Sequence, residues 1–398
     1  MAGRLSISII GTTGPDPRYW PGTVFTSDLA EAVVVALAAG PGSVRELVRT
    51  LQRPDCELGA IVEQLLSLRA IREEGSRLWL NFSLLTREDL AILDEAVPAL
   101  AHELARFVLK RGSVIEAALR ALPGGSSAER RAEYAFAVVG CLGLDWEGIS
   151  TLKRCGYVSL GPEYPDGGRY VLIGEERRDV RRTKDYCGSH TGGGVRYFFT
   201  SFGDHSGPRH CLPDLLFQAE AAVGDANWPN EVGSAVVGVV REKLNVLYDE
   251  LGAMVAGEAA PEGPHAQFLA RIGYVTDGRA AVPVLRDEAL GQTRQAVAAV
   301  AEAVEEWAER TVPELGQALS LLTPIRQGVD RGHFLNHIWH FIFAEANRIL
   351  AERGFILDPE PGHGGQGRYL AWVAEAGLYR ALWPFALPPA PSDPPDGK

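Results

Sequence analysis

Residues 43–82 have the sequence SVRELVRTLQRPDCELGAIVEQLLSLRAIREEGSRLWLNF, which predicts two helices followed by a two-stranded hairpin. Ser43 and Glu46 have the spacing of a capping box, so a helix should begin immediately after Ser43. A second helix should begin near Asp55, because apolar residues then recur with a helical period. These residues are Leu58, Ile61, Val62, Leu65, Leu66 and Leu68. The polar turn and the apolar run within 73–82 complete the hairpin.

With a further helix expected after Ser27, the order of three helices and a hairpin resembles the winged helix-turn-helix module of many bacterial regulators. The resemblance covers residues 27–82 and concerns the order of the elements. It implies a class of function: contact with DNA through a recognition helix and the wing, or contact with another protein.

The charge of the chain bears on that choice. The formal net charge is −12, and residues 28–77 contain six Arg and no Lys against eight Asp or Glu. DNA binding draws much of its affinity from Lys and Arg that neutralise phosphates. The predicted recognition helix opens with Asp55-Cys56-Glu57, where a DNA reader usually carries Arg, Ser, Thr, Asn or Gln. This start favours a protein-binding winged helix, and DNA binding would need a local basic face.

Length and composition set the broad class. A chain of 398 residues with 46% hydrophobic and 23% charged residues predicts two or three globular domains. No window approaches about 18 uninterrupted apolar residues, so no membrane span is expected, and residues 1–10 are too weakly apolar for a signal peptide. Five widely spaced Cys without a Cys-x-x-Cys pair favour a reduced, cytoplasmic protein.

A second pattern is an internal repetition with an offset of about 200 residues. The first series of helical positions is Leu90, Ala96, Val97, Leu100, Leu104, Phe107, Lys110, Ile115, Ala118, Leu119 and Leu122. The second series is Leu290, Ala296, Val297, Val300, Val304, Trp307, Arg310, Leu315, Ala318, Leu319 and Leu322. Two later Gly-aromatic segments, at 156–158 and 168–171, recur at 354–356 and 367–370 and predict a closing hairpin in each copy.

The predicted fold is therefore α+β and mostly α, with two pseudo-symmetric copies of a winged helix, a helical segment and a β-hairpin. Two copies in one chain imitate a homodimer and should pack about a pseudo-two-fold axis. The predicted segments are an N-terminal arm with one edge strand (1–26), a winged helix (27–83), a helical segment with its hairpin (84–176), an inter-repeat loop rich in basic residues, Gly, His and Cys (177–212), a degenerate winged helix (213–285), a second helical segment with its hairpin (286–376) and a Pro-rich tail (377–398).

The inter-repeat loop contains two candidate sites. Its basic cluster and the wing supply the candidate DNA contacts: Arg72, Arg77, Arg177, Arg178, Arg181 and Arg182. Solvated charge or internal salt bridges are the alternative. The candidate zinc ligands are Cys187, His190, His205, His210 and Cys211, of which the first two have metal-ligand spacing. A Cys187-His190 catalytic pair, or an ordered loop that docks its aromatic residues on the second copy, are the other interpretations.

The third candidate site is a row of histidines on a helix expected over 331–351. His333, His337 and His340 fall on one helical face, where the first copy has Ala135, Val139 and Leu142. Polar rings in place of core residues predict a ligand pocket, which Trp307 and Trp339 could complete by stacking on a planar ligand. A metal site and satisfied core histidines are the alternatives, and the absence of His-Glu-x-x-His gives no support to a metalloprotease.

The function that these patterns favour is a cytoplasmic winged-helix regulator that binds DNA and senses a small molecule in its helical body. Ligand binding would change the angle between the copies and so the presentation of the wing. The alternative is a protein-protein interaction scaffold without DNA binding. An enzyme or metal-binding protein that uses 187–211 or 333–340 ranks third, since no nucleophile-base pair or paired carboxylates stand out. No cofactor other than a possible zinc ion is expected.

Overall fold

The computed structural model describes residues 4–14, 16–177, 186–203, 207–225, 230–260, 262–361 and 368–383. The predicted class is confirmed: the protein is α+β and mostly α. The Pro-rich tail beyond 383 lies outside the described residues, as do Arg178, Arg181, Arg182 and His205.

The first half of the chain contains a three-helix unit, a wing-like hairpin and a long helical segment. Its elements are β1 (Leu5–Thr12), α1 (Pro21–Val24), α2 (Asp28–Ala39), α3 (Val44–Leu51), α4 (Asp55–Ser67), β2 (Ile71–Glu74), β3 (Arg77–Leu80), β4 (Ser83–Leu85), α5 (Arg87–Lys110), α6 (Gly112–Arg120), α7 (Ala128–Ala135), a π-helix (Phe136–Glu147), α8 (Gly148–Arg154) and β5 (Arg169–Glu176). The predicted capping box at Ser43 is present and fixes the start of α3, and a second capping box, formed by Thr86 and Asp89, fixes the start of α5. Helix α5 continues through Pro98, where the sequence predicts a new segment or a kink.

The second half follows a similar order. Its elements are β6 (Ser189–Gly193), β7 (Tyr197–Gly203), α9 (Leu215–Asp225), α10 (Asn230–Val255), α11 (Gly263–Arg271), β8 (Val275–Thr276), β9 (Arg279–Ala280), β10 (Val284–Leu285), α12 (Leu290–Ala318), α13 (Thr323–Arg326), α14 (Arg331–Glu352), β11 (Glu360–Pro361), β12 (Arg368–Glu375) and α15 (Ala376–Leu382). The predicted inter-repeat loop therefore includes a strand, β7, that is buried along its whole length. Its aromatic residues pack in the second sheet, which is why this segment is ordered.

Two sheets organise the molecule. In the first, β5 is central, antiparallel to β1 and parallel to β4. In the second, β12 pairs antiparallel with β7 and β11 and parallel with β10, and β6 extends the sheet beyond β7. The expected edge strand of the N-terminal arm is confirmed as β1.

The predicted closing hairpin of the first copy is wrong. Residues 156–158 form no strand, and β5 pairs with distant strands instead. Gly156 (φ 78°) and Gly354 (φ 67°) end helices α8 and α14 in the left-handed conformation. The amides of Tyr157 and Phe355 then bond to the carbonyls of Leu152 and Leu350, which is the pattern of a Schellman cap. The repeated Gly-aromatic pair is thus a helix stop in both halves. In place of the predicted closing hairpins, the second half has the short β11–β12 pair and the first half has one antiparallel bridge between Glu163 and Arg169.

Three hydrophobic cores hold these elements together. A large central core joins the helical segments of both halves between the two sheets. A second core lies inside the first three-helix unit and contacts β1 and β5, and a third lies between β7, β12 and helices α10 and α11. Every residue of the π-helix except Glu147 is buried. Gly143 of the π-helix and Gly148, the first residue of α8, let α12 and α14 approach closely, because a Cβ on either glycine would stand within 3 Å of Val300 or Trp339.

The segment Ala128–Arg154 is long and apolar enough to cross a membrane by length and composition alone, but 89% of its most apolar window is buried inside the protein. Its apolar character is accounted for by its place in the central core.

Asp89 ties the two halves together. Its buried carboxylate accepts hydrogen bonds from the amide of Thr86 (2.8 Å), at the start of α5, and from the amide of Thr323 (2.9 Å), at the start of α13. We expect Asp89→Ala to lower the free energy of unfolding by about 3 kcal/mol, because two buried amides lose a charged acceptor. Thr86→Ala removes only the hydroxyl cap and should cost about 1 kcal/mol. Urea titration of both variants measures the difference in the free energy of unfolding. Equal losses would contradict the role of Asp89 in joining the two halves.

Candidate functional site

Arg72 and Arg77, the two wing arginines predicted to contact DNA, both form hydrogen bonds within the protein. The guanidinium of Arg72 donates to Glu74, to the carbonyl of Leu80 (2.6 Å) and to the carbonyl of Gln327 (2.8 Å) in the second half. Arg72 therefore holds the wing against α13, and its guanidinium is not free to bind a phosphate. Arg77 is half exposed and donates to the carbonyl of Pro41.

Arg177, the described member of the basic cluster, is also engaged. Its Nε donates to the carbonyl of Leu5 (2.7 Å) at the start of β1. The guanidinium thus extends the pairing of β1 and β5 by one side-chain bond, although the residue remains solvent-exposed. Arg77 and Arg177 are both exposed and each donates to a backbone carbonyl, and a guanidinium nitrogen of Arg77 also lies 3.9 Å from a carboxylate oxygen of Glu46.

Exposed arginines occur elsewhere on the same unit. Arg45 and Arg49 lie one turn apart on α3, and Arg53 follows just past its end; all three are exposed. Within the described residues, none of the three forms an ion pair with an acidic side chain. Arg49 makes only a long contact (3.4 Å) with the carbonyl of Arg45. Like charges four residues apart weaken a helix slightly. The described residues give Arg45 and Arg53 no acidic partner, and Arg49 is attracted electrostatically to Glu46 on the same helix.

The neighbouring helix has the opposite charge. Helix α4 contains no Lys or Arg, and Asp55, Glu57 and Glu63 lie on its exposed side. The first three-helix unit therefore presents a basic stripe on α3 beside an acidic face on α4. The sequence showed the acidic start of α4, whereas the stripe on α3 becomes visible only when the buried side of the helix is known.

The histidine row of α14 lies in the protein interior. His337 is 1% exposed, and its Nδ1 lies 2.8 Å from the hydroxyl of Ser83 on β4. Its Nε2 lies 3.7 Å from a carboxylate oxygen of Glu175 on β5 and has no hydrogen-bond partner. This order of hydroxyl, imidazole and carboxylate has the composition of a hydrolytic triad. However, Ser83 is fully buried, which leaves a substrate no route to its hydroxyl.

His340, the last histidine of the row, lies beside the buried carboxylate of Asp145. The Nδ1 of His340 lies 2.8 Å from the carbonyl of Asn336, and its Nε2 lies 3.8 Å from Asp145 on the π-helix. Burial raises the pKa of Asp145 to about 7, opposed by a hydrogen bond from Ser189, and lowers the pKa of His340 to about 4. Near neutral pH the imidazole is neutral, so the pair forms a polar contact and not a salt bridge.

His333 lies at the start of α14, where its backbone amide bonds to Asp330, the N-cap residue. Burial lowers the pKa of its imidazole, opposed by the charge of Asp330. The row thus divides into two interior rings with protein partners and one ring near the surface.

Two cavities beside α14 are lined mainly by apolar residues. One cavity of about 90 Å³ lies between α12 and α14 and is lined by Leu315, Leu319, Ile325, Arg331, Phe334 and Leu335. A second, of about 10 Å³, is the one that Trp307 and Trp339 line, together with aliphatic residues. The two indole N–H groups are bound to the carbonyls of Leu100 and Leu144. Neither of these two cavities includes a histidine. The Nε2 of the buried His337 has no hydrogen-bond partner, so the row is not fully satisfied within the protein, and the ligand pocket stays a prediction.

The structure brings two of the candidate zinc ligands, His190 and His210, to the carboxylate of Asp214. His190 lies 2.7 Å from one oxygen of Asp214, and the Nε2 of His210 lies 3.7 Å from the other oxygen. Cys187 packs against the central core, and Cys211 is exposed. Among the described residues, no group of three or more His, Cys, Asp or Glu has the arrangement of a metal site. Asp214 was missed in the sequence, although its position four residues after His210 is a usable signal.

The partners of the histidines were also missed. Ser83, Asp145 and Glu175 come from a strand, a π-helix and another strand that no local pattern connects with α14. Comparison of the chain with protein-family models, with curated proteins and with solved structures found no match to any of them.

Proposed function

We propose that the protein is a winged-helix regulator that binds DNA, and that the basic stripe on α3 supplies its phosphate contacts. The observation that carries the proposal is the set of three exposed arginines, Arg45, Arg49 and Arg53, none of which forms an ion pair within the described residues. In a helix-turn-helix, the first helix crosses the DNA backbone while the second enters the groove. Arg77 on the wing side of the unit would add a fourth contact.

The order of elements supports the winged-helix assignment. Helices α2, α3 and α4 are followed directly by the antiparallel pair β2–β3. A turn at Gly75 (φ 65°) joins the two strands, as expected for a wing. The acidic residues at the start of α4 can accept hydrogen bonds from cytosine amino groups, which makes them compatible with groove contact beside arginines.

We also propose that the chain is a duplication of one unit. In the first sheet Ser83 pairs in parallel with Ile173, and in the second Val284 pairs in parallel with Val373, about 200 residues later in both strands. Each central strand also has an antiparallel neighbour, β1 or β7. Helices α11 and α4 each lead into a short hairpin, so the second copy would be a reduced winged helix that supports the first.

Salt-dependent DNA retention tests the proposal. Wild-type protein should bind random-sequence duplex at low salt, and the R45A/R49A/R53A variant should bind more weakly. Its salt slope should be flatter by roughly 3, about one unit for each phosphate that an arginine no longer neutralises. The matched control is R120A/R271A/R353A, which removes the same charge from exposed sites on other helices. Failure of the wild type to bind at low salt, or equal weakening by the two triple variants, would count against DNA binding.

An interaction scaffold without DNA binding is the second candidate, favoured by the acidic side of α4 with Asp55, Glu57 and Glu63. Such a face would take a basic peptide or protein segment. The scaffold is supported if wild-type protein ignores DNA but binds a lysine-rich peptide, and if D55N/E57Q/E63Q loses that peptide while E302Q/E305Q/E309Q on α12 retains it.

A further inference from the structure

Helix α10 exposes an apolar stripe that runs from its N-terminal half to just past its middle. Val232, Val239 and Val246 are 42%, 60% and 52% exposed. They are spaced by seven residues, which places them on one side of the helix over roughly 21 Å. Single exposed valines are ordinary, but three in register on one helix mark a contact surface.

The described side chains of the N-terminal half of α10 supply no residue to the three hydrophobic cores, although α9 packs against the helix and the Nε atom of Arg241 is buried. The residues of α10 in the third core are in its C-terminal half, from Leu244 through Tyr248 and Leu251 to Val255. Among the described side chains of 232–243, none belongs to any of the three cores. Helix α9 packs against α10, yet Phe217 on α9 is itself 59% exposed.

Helix α2 contains a segment similar in sequence to one in α10, but three of the apolar side chains there are buried. Residues 32–37 are AVVVAL in α2, and residues 235–240 are AVVGVV in α10. Val33, Val34 and Leu37 are fully buried, because α2 ends at Gly40-Pro41-Gly42 and packs against α3 and α4. Helix α10 continues without a break from Asn230 to Val255. Its apolar N-terminal half therefore extends straight from the C-terminal half, which packs in the third core.

We propose that the occupant of this stripe is the same stripe of a second copy, with the two α10 helices antiparallel and Val239 at the two-fold axis. Val232 and Val246 lie seven residues on either side of Val239. In the antiparallel arrangement Val232 of each copy would therefore face Val246 of the other copy. A contact between identical surfaces is what closed two-fold symmetry requires. Gly238 presents open space beside the axis, which allows the two helices to approach closely.

The charge distribution favours a second copy over an unrelated partner of strong charge. Residues 230–246 carry two acidic and two basic side chains, Glu231 and Glu242 with Arg241 and Lys243, in a chain whose net charge is −12. This segment is therefore neutral, and two copies can meet there without the repulsion that most of this acidic surface would produce. The inference is independent of DNA binding.

Sedimentation of the full chain tests the dimer. Wild-type protein should be dimeric in the micromolar range, and Val239→Glu should dissociate it with an affinity loss on the order of a hundredfold or more, because two carboxylates would meet on the axis. The control is Val114→Glu on α6, an equally simple change at a valine that is 44% exposed. It should leave the dimer intact, and circular dichroism should show both variants folded.

Cysteine cross-linking tests the geometry. In a C56S/C211S background, which removes the exposed native thiols, Val239→Cys should form an intermolecular disulfide under mild oxidation. Val246→Cys should not, because its counterpart would lie about 20 Å away. A monomeric wild type, or a Val239→Glu protein that stays dimeric, overturns the proposal. Equal cross-linking at 239 and 246 overturns the antiparallel arrangement.

Discussion

Replacing Trp339 by alanine is expected to lower the free energy of unfolding by about 3–5 kcal/mol. The side chain is 1% exposed in the central core, with its ring 5.4 Å from that of Trp307 and 5.8 Å from that of Phe343. Its indole N–H donates to the carbonyl of Leu144 on the π-helix (3.0 Å). The substitution would leave a large void beside the existing cavity of about 10 Å³ and free a buried carbonyl.

Trp339→Phe separates the two contributions. It retains most of the apolar volume but loses the hydrogen bond to Leu144, so we expect a loss of about 1–2 kcal/mol. Urea denaturation followed by circular dichroism measures both variants. If Trp339→Phe is as destabilising as Trp339→Ala, the hydrogen bond to the π-helix, and not the packing between α12 and α14, dominates at this position.

Asp145→Asn is expected to stabilise the protein at alkaline pH, by at most about 4 kcal/mol. The folded-state pKa of Asp145, about 7, lies above its unfolded value of 3.8 because burial disfavours the carboxylate. The folded protein therefore holds a proton that the unfolded chain has lost, and the stability of the wild type falls as the pH rises from about 4 to about 7. Asparagine removes that penalty and retains a polar group beside Ser189.

His340 produces the opposite dependence in the acid range. Burial lowers its folded-state pKa to about 4 from 6.5, so stability is lost as the pH falls from 6.5 to about 4. In wild-type protein the two groups nearly cancel below pH 6.5. The Asp145→Asn variant should therefore lose stability as the pH falls from 6.5 to about 4, where the wild type is nearly flat, and should keep a constant advantage over the wild type above about pH 7. Thermal denaturation from pH 4 to 9 measures the profile, and a variant that parallels the wild type throughout would contradict it.

The sequence by itself determined those elements whose causes are local. The capping boxes at Ser43 and Thr86 fix the starts of α3 and α5 through bonds that span three residues. The period of apolar residues identified α4, and helix α14 begins at Arg331 as predicted and ends at Glu352, within one residue of the prediction. Propensity, capping and periodicity act within a few residues, which is why they can be recognised without the fold.

Only the tertiary structure decided what the functional side chains contact. His337 meets Ser83 across 254 residues of chain, and Arg72 meets Gln327 across 255. Strand β5 pairs with β1 and β4, and β12 pairs with β7 and β10, all of which lie far away in sequence, whereas the Gly-aromatic pairs that suggested hairpins end helices. Whether Arg72, Arg45 or His337 faces solvent depends on which surfaces pack together, and packing depends on the whole chain because each buried polar group must find its partner among distant elements.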